Sequence, residues 1–220
     1  MAFILNINTA INPASVCLAR DSQTLSFAQS THQKEHASWL HLAVKQIIAD
    51  AGTNLKDTEA IAVTAGPGSY TGLRIGLAAA KGLSFALDIP LIVINLLEMM
   101  AQAITTEIAD FYCPVVDARR MEVFMAVYGR NMDTIISPCA MIVKPDSFYS
   151  LQERGKIIFV GDGCDKIKKI IPASNVIFTD KEVTAMDMVE LSANNFREKR
   201  FADIAYSEPF YLKEFYSTAH

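Results

Sequence analysis

The feature that most constrains this chain is an order of segments that occurs twice. Three short apolar segments, then a helical segment, a strand and another helix start near residue 3, and the same order starts again near residue 112. In the first half the strands read as 3–9, 15–20 and 24–29. Asn12-Pro13 and Arg20-Asp21-Ser22 turn the chain between them. Connections this short join antiparallel neighbours. A helix is predicted over 34–51, with Leu40, Val44, Ile47, Ile48 and Ala51 on one stripe and Gly52 as its stop. Then follow strand 60–65, helix 69–87, strand 90–94 and helix 96–108. In the second half, strands 112–116, 122–128 and 134–143 precede a helix after Pro145. Strand 156–160, helix 165–171, a strand near Val176 and helix 185–200 complete it. The halves share no obvious identity, so the repeat is one of topology. It predicts an α/β fold of two mixed sheets, each with three antiparallel and two parallel strands and helices on its faces. No Gly/Ser-rich linker separates the halves. Two lobes packed together are therefore expected, over 1–108 and 109–220.

Composition supports a folded core and removes other classes. A chain of 220 residues buries ~70% of its unfolded surface. An apolar fraction of 51% with 20% charged residues argues against disorder. The net charge of −4 supplies no basic field to grip a nucleic acid unaided. No apolar run approaches the ~18 residues of a membrane span, and the first residues lack a basic leader region. Cys17, Cys113, Cys139 and Cys164 are scattered without a Cys-x-x-Cys pair, which reads as thiols in a reducing, cytoplasmic setting.

The densest motif joins strand 60–65 to the next helix: Gly66-Pro67-Gly68-Ser69-Tyr70-Thr71-Gly72-Leu73-Arg74-Ile75-Gly76. Ser69 is placed to cap the helix, and such a loop can hold an anion on the helix dipole. The spacing fits neither a Rossmann fingerprint nor a Walker A loop, which needs a Gly-Lys-Ser/Thr. Gly68, Gly72, Gly76 and Ala80 recur every four residues and share one helix face. A face without side chains lets another element approach closely. Close packing, a partner interface and an anion-binding loop are the readings this leaves open.

This glycine block resembles the signature of the bacterial TsaB (YeaZ) family. The first strand Ile4-Leu5-Asn6-Ile7-Asn8-Thr9-Ala10 is similar to that family's, as are Glu35-His36-Ala37-Ser38, Asp117-Ala118-Arg119-Arg120-Met121-Glu122-Val123-Phe124, Val160-Gly161-Asp162-Gly163 and Glu208-Pro209-Phe210-Tyr211-Leu212. The resemblance implies the actin-like ATPase fold of two ribonuclease-H-like lobes. It implies a role in making N6-threonylcarbamoyladenosine (t6A) in tRNA. It implies a non-catalytic subunit that pairs through its N-terminal lobe with the carbamoyl-transferring subunit TsaD, joined by the ATPase TsaE, and that forms homodimers when alone. It implies no cofactor of its own, with the TsaD interface as the place for ATP or ADP, and tRNA reached only through the complex. The glycine face becomes the candidate partner interface.

Enzyme chemistry is thin. Actin-like ATPases usually carry an acid in the first strand-turn, where this chain has Asn8 and Thr9. An amide lacks the negative charge that helps hold Mg²⁺, and Asn8 reads as a turn-former. His32 and His36 lie four apart without a third ligand nearby, so a solvated helix start is expected and no metal site; His41 and His220 stand alone. No Gly-x-Ser-x-Gly elbow is present. Asp117, Arg119, Arg120 and Glu122 crowd a tight turn that reads as solvated surface, which the resemblance raises to a contact or bracing motif. Lys166-Ile167-Lys168-Lys169 reads as the wet face of a helix, and Met99, Met100, Met186 and Met188 as core or rim filling. The expected function is a scaffold subunit. The alternative is an ATP-dependent phosphotransferase or ATPase of the same fold, and a peptidase is a distant third.

Overall fold

Each run of strands closes into a five-stranded sheet, and the two sheets repeat one order. The computed structural model describes residues 2–31 and 36–213. The first sheet contains β1 (Phe3–Asn8), β2 (Ser15–Arg20), β3 (Gln23–Gln29), β4 (Ala60–Gly66) and β5 (Leu91–Asn95), in the order β3-β2-β1-β4-β5. β1 pairs antiparallel with β2 and β2 with β3, while β4 lies parallel to β1 and β5 to β4. The second sheet contains β6 (Phe111–Asp117), β7 (Glu122–Gly129), β8 (Thr134–Ile142), β9 (Ile157–Val160) and β10 (Val176–Thr179), in the order β10-β9-β6-β7-β8. Its pairings repeat the same antiparallel and parallel pattern. The helices are α1 (His36–Asp50), α2 (Tyr70–Leu87), α3 (Leu96–Gln102), α4 (Tyr149–Arg154), α5 (Cys164–Lys168) and α6 (Val189–Arg197). This is the mixed α/β architecture that the duplicated order requires.

Two compact units result. The first comprises Met1–Met99 with Val183–Pro209, and the second Met100–Glu182 with Phe210–His220. A cut at 108/109 therefore misses one feature: residues 183–209 return to the first unit. The reason is an uncovered sheet face. One face of the first sheet (Leu5, Ile7, Val16, Leu18, Ile61, Val63) packs on the stripes of α1 and α2. The opposite face carries Asn6, Asn8, Ser15 and Cys17, all fully buried. A 3-10 turn at Ala185–Met188 and α6 cover the sheet there, and Ala185 N donates to Ser15 Oγ at 2.9 Å. Beyond α6, Ala202 pairs with Leu91 on edge strand β5, and Lys81 Nζ donates to the Ala205 and Ser207 carbonyls at 3.1 Å each. An edge strand covered in this way is no longer a template for unwanted pairing.

Three helices depart from the sequence reading. The segment expected over 96–108 is helical only to Gln102, and Tyr112 Oη then ties down the turns beyond by donating to the Glu107 carbonyl at 2.9 Å. The segment over 185–200 is divided, because Thr184 and Asp187 form a capping box that starts a 3-10 turn before α6. α5 ends at Lys168 rather than 171. The second core is centred on Phe148, Phe159 and Phe178, with ring centroids 5.0 and 5.2 Å apart.

Candidate functional site

In the first unit the glycine block and the end of β1 form one assembly. Ser69 is the N-cap of α2, as the sequence indicates, and its Oγ accepts from Gly72 N at 3.2 Å. Ser69 N donates to the Ala10 carbonyl at 2.7 Å, and Thr9 Oγ1 donates to the Gly72 carbonyl at 2.7 Å. A Cβ at Gly72 would run into the Thr9 carbonyl, one at Gly76 into Thr9 Oγ1, and one at Gly68 into the Ala10 carbonyl. The glycines are therefore the seat on which the turn after β1 rests. Gly66 and Pro67 are buried beside them, and Gly66 has φ +119°, a conformation glycine adopts freely. Tyr70, Thr71 and Arg74 lie on the outer side, with the Arg74 guanidinium 4.0 Å above the Tyr70 ring.

Asn8 is fully buried, and its Oδ1 accepts from Thr64 Oγ1 at 2.9 Å and from Ala10 N at 3.2 Å. The amide is thus an Asx-type brace of the turn, as its turn-forming chemistry suggests. The glycine face points inward, so it is used for close packing within the unit. Of the three readings the sequence left open, close packing is the one these contacts display.

The exposed side of the same helix pair is a different surface. Ala37 and His41 of α1 with Ile75, Ala78, Ala79, Gly82 and Leu83 of α2 line a shallow groove of about 440 Å³. Leu42 and Phe85 on these helices are 69% and 80% exposed. Ala78, Ala79 and Gly82 are as small as the inward glycines. The sequence signal for this groove was present, but it gave no preference between the two faces.

In the second unit the charged turn between β6 and β7 is braced from below. Lys166 Nζ donates to Asp117 Oδ1 at 2.6 Å and to the Glu122 carbonyl at 3.0 Å. Asp117 Oδ1 also accepts from Arg119 N at 2.5 Å, and Asp117 N donates to Asp162 Oδ1 at 2.8 Å. Glu122 pairs with Lys213. Partial burial pushes the Asp117 carboxyl up, but Lys166 and the Arg119 N–H outweigh it and hold the group below the usual carboxylate range. The Lys166 side chain is only 18% exposed, so it is a clamp and not the wet face of a helix. Lys168 is the more exposed residue, near Asp165 and Asp180. Gly161, at φ +114°, has no room for a Cβ against the Val115 carbonyl, which explains the Gly-Asp-Gly turn that delivers Asp162.

The four cysteines are free, and burial pushes the Cys17 thiol up to about 11 and the Cys164 thiol up to about 12 and raises those of Cys113 and Cys139, which disfavours the reactive thiolate. Among the described residues no group of three His, Cys, Asp or Glu side chains is arranged to hold a metal. His32, Glu35 and His220 lie outside the described residues.

A family model described as TsaD, tRNA N6-adenosine threonylcarbamoyltransferase, matches residues 28–215. The tRNA threonylcarbamoyladenosine biosynthesis protein TsaB of Escherichia coli K12 is 31% identical over 218 residues, covering 96% of this chain and 94% of its own. The chain belongs to the TsaB family. YeaZ from Pseudomonas aeruginosa shares its fold, with a TM-score of 0.82 at 23% identity over 96% of this chain and 100% of that one. The activator of the 2-hydroxyisocaproyl-CoA dehydratase from Clostridium difficile, solved with bound ADPNP, superposes with a TM-score of 0.50 at 8% identity, covering 90% and 97%. The fold is that of the actin-like ATPases. In this TsaB-family chain the signature glycines are a packing device, and the charged hairpin is a braced one. The outer small-residue groove is the part that sequence reading did not single out, and Lys166 is the residue it placed on the wrong side of its helix.

Proposed function

We propose that this TsaB-family chain is a non-catalytic activating subunit in tRNA threonylcarbamoyladenosine biosynthesis. It pairs with a TsaD-type threonylcarbamoyltransferase, and a TsaE-type ATPase joins the pair in the cytoplasm. The groove between α1 and α2 is the observation that carries this reading. It is apolar, exposed and floored by Ala78, Ala79 and Gly82, which lets a second helix pair approach closely. The TsaD family model spans both helices, and related chains meet naturally through equivalent surfaces. A copy of the chain fits the same groove when no partner is present. Asn8 supports the non-catalytic part, since its Oδ1 is committed to Thr64 and Ala10 and it carries no charge for a metal-bound nucleotide. ATP or ADP then belongs at the interface of the pair, and tRNA reaches this subunit through the complex.

Reconstituted tRNA modification with and without the chain tests the reading. Activity should depend on it, and size exclusion should show a stable pair with the TsaD-type subunit. Ala78→Arg, at an exposed position of the groove, should abolish pairing with an unchanged melting temperature. Metal-dependent ATP turnover by the isolated chain would replace this reading with the phosphotransferase alternative.

A further inference from the structure

The four charged residues of the β6–β7 hairpin do two different jobs. Asp117 and Glu122 are internal braces, each already matched to a lysine, Lys166 and Lys213. Arg119 and Arg120 are exposed at the tip, and both hold a left-handed backbone, at φ +65° and +50°. Left-handed backbone favours glycine or asparagine, and other residues there cost on the order of 1 kcal/mol each. Two consecutive arginines therefore sit against the local preference. Arg120 has no hydrogen bond, ion pair or ring contact among the described residues. With the adjacent acids neutralised, the tip carries a positive surplus on a chain of net charge −4.

The surplus sits beside exposed aliphatic side chains. Met121 is 55% exposed, and Ile142, in register with Glu122 across β7 and β8, is 60% exposed. Arginine and methionine are enriched in protein–protein interfaces, whereas single-stranded RNA contacts favour aromatic stacking platforms. The tip residues 118–121 include no aromatic.

We infer that this hairpin end of the second unit docks a folded protein whose surface presents carboxylates around an aliphatic spot. Arginine forks take the carboxylates, and Met121 and Ile142 take the apolar centre. The interface is distinct from the groove of the first unit, so one chain serves two partners. The inference rests on the function proposed above for the identity of its probe, the TsaE-type ATPase subunit.

The test is fluorescence anisotropy of the labelled ATPase subunit, titrated with the isolated chain and with the preformed TsaD-type pair. Affinity should fall as salt rises, and Arg119→Glu/Arg120→Glu should weaken it roughly tenfold or more. Arg119→Asn/Arg120→Gly relaxes the turn while removing both guanidiniums. It should bind the ATPase subunit as weakly as the charge reversal, melt at or above the wild-type temperature, and leave pairing with the TsaD-type subunit intact. Wild-type affinity in the relaxed variant overturns the proposal, as does binding that ignores salt. So does a variant that loses affinity for labelled tRNA but keeps it for the ATPase subunit. If no TsaD-type pair forms, the proposed function fails on its own, and the titration of the isolated chain still decides the hairpin.

Discussion

The turn after β1 and the turn after β6 hold equivalent places in two sheets of one topology, yet different forces anchor them. In the first unit the turn is seated by shape. Thr9 and Ala10 rest on Gly68, Gly72 and Gly76, and Asn8 adds neutral hydrogen bonds. In the second unit the turn is fixed by charge, through Lys166, Asp117, Glu122 and Lys213. Shape anchoring is stiff and indifferent to salt. Charge anchoring is screened by salt and titrates, but it leaves side chains at the tip free to vary.

The largest effect that would break this comparison is expected at the glycine seat. Gly72→Val should destabilise the first unit by about 3 kcal/mol in urea unfolding, equally at low and high salt, because the new side chain meets backbone that cannot withdraw. A cost near zero would show that the turn is not seated there. Lys166→Met should cost only about 1 kcal/mol, since Asp117 is 39% exposed and partly screened, and added salt should shrink that difference. The Asp117 carboxyl titrates below its ordinary 3.8 in the folded protein. Its contribution is therefore present above that value and is lost as pH falls through the lower folded value. Lys166→Met should flatten this acid limb, whereas Gly72→Ala should leave it unchanged. The smallest effect sharpens the contrast between the two faces of α2. A Cβ at Gly82 meets nothing within 4 Å, so Gly82→Ala should stabilise the chain by about 0.5–1 kcal/mol. Within α2, the glycines under the turn are then the ones that folding requires.

Much of the fold was legible because its signals are local. Short turns at Asn12-Pro13 and Arg20-Asp21-Ser22 dictate antiparallel neighbours, and the helices between later strands dictate parallel ones. Ser69 declared the start of α2 by its chemistry. What stayed hidden depends on distance or direction. Both faces of α2 carry small residues every three or four positions, so periodicity does not say which one faces inward. Lys166 read as a surface lysine because its partners lie 44 and 49 residues away. The return of residues 183–209 follows from the second face of the first sheet, which no local pattern near residue 183 reveals.

That return has a consequence for the order in which the protein is made. The strands of the first unit leave the ribosome well before their cover, residues 183–209, and residues 100–182 emerge in between. The sheet beneath α1 and α2 is thus completed only after the second unit's strands have emerged. Until then the buried Asn6, Asn8 and Ser15 face lacks its lid, and β5 lacks the Ala202 strap. A chain interrupted before α6 would hold every glycine of the signature and still leave one face of their sheet bare.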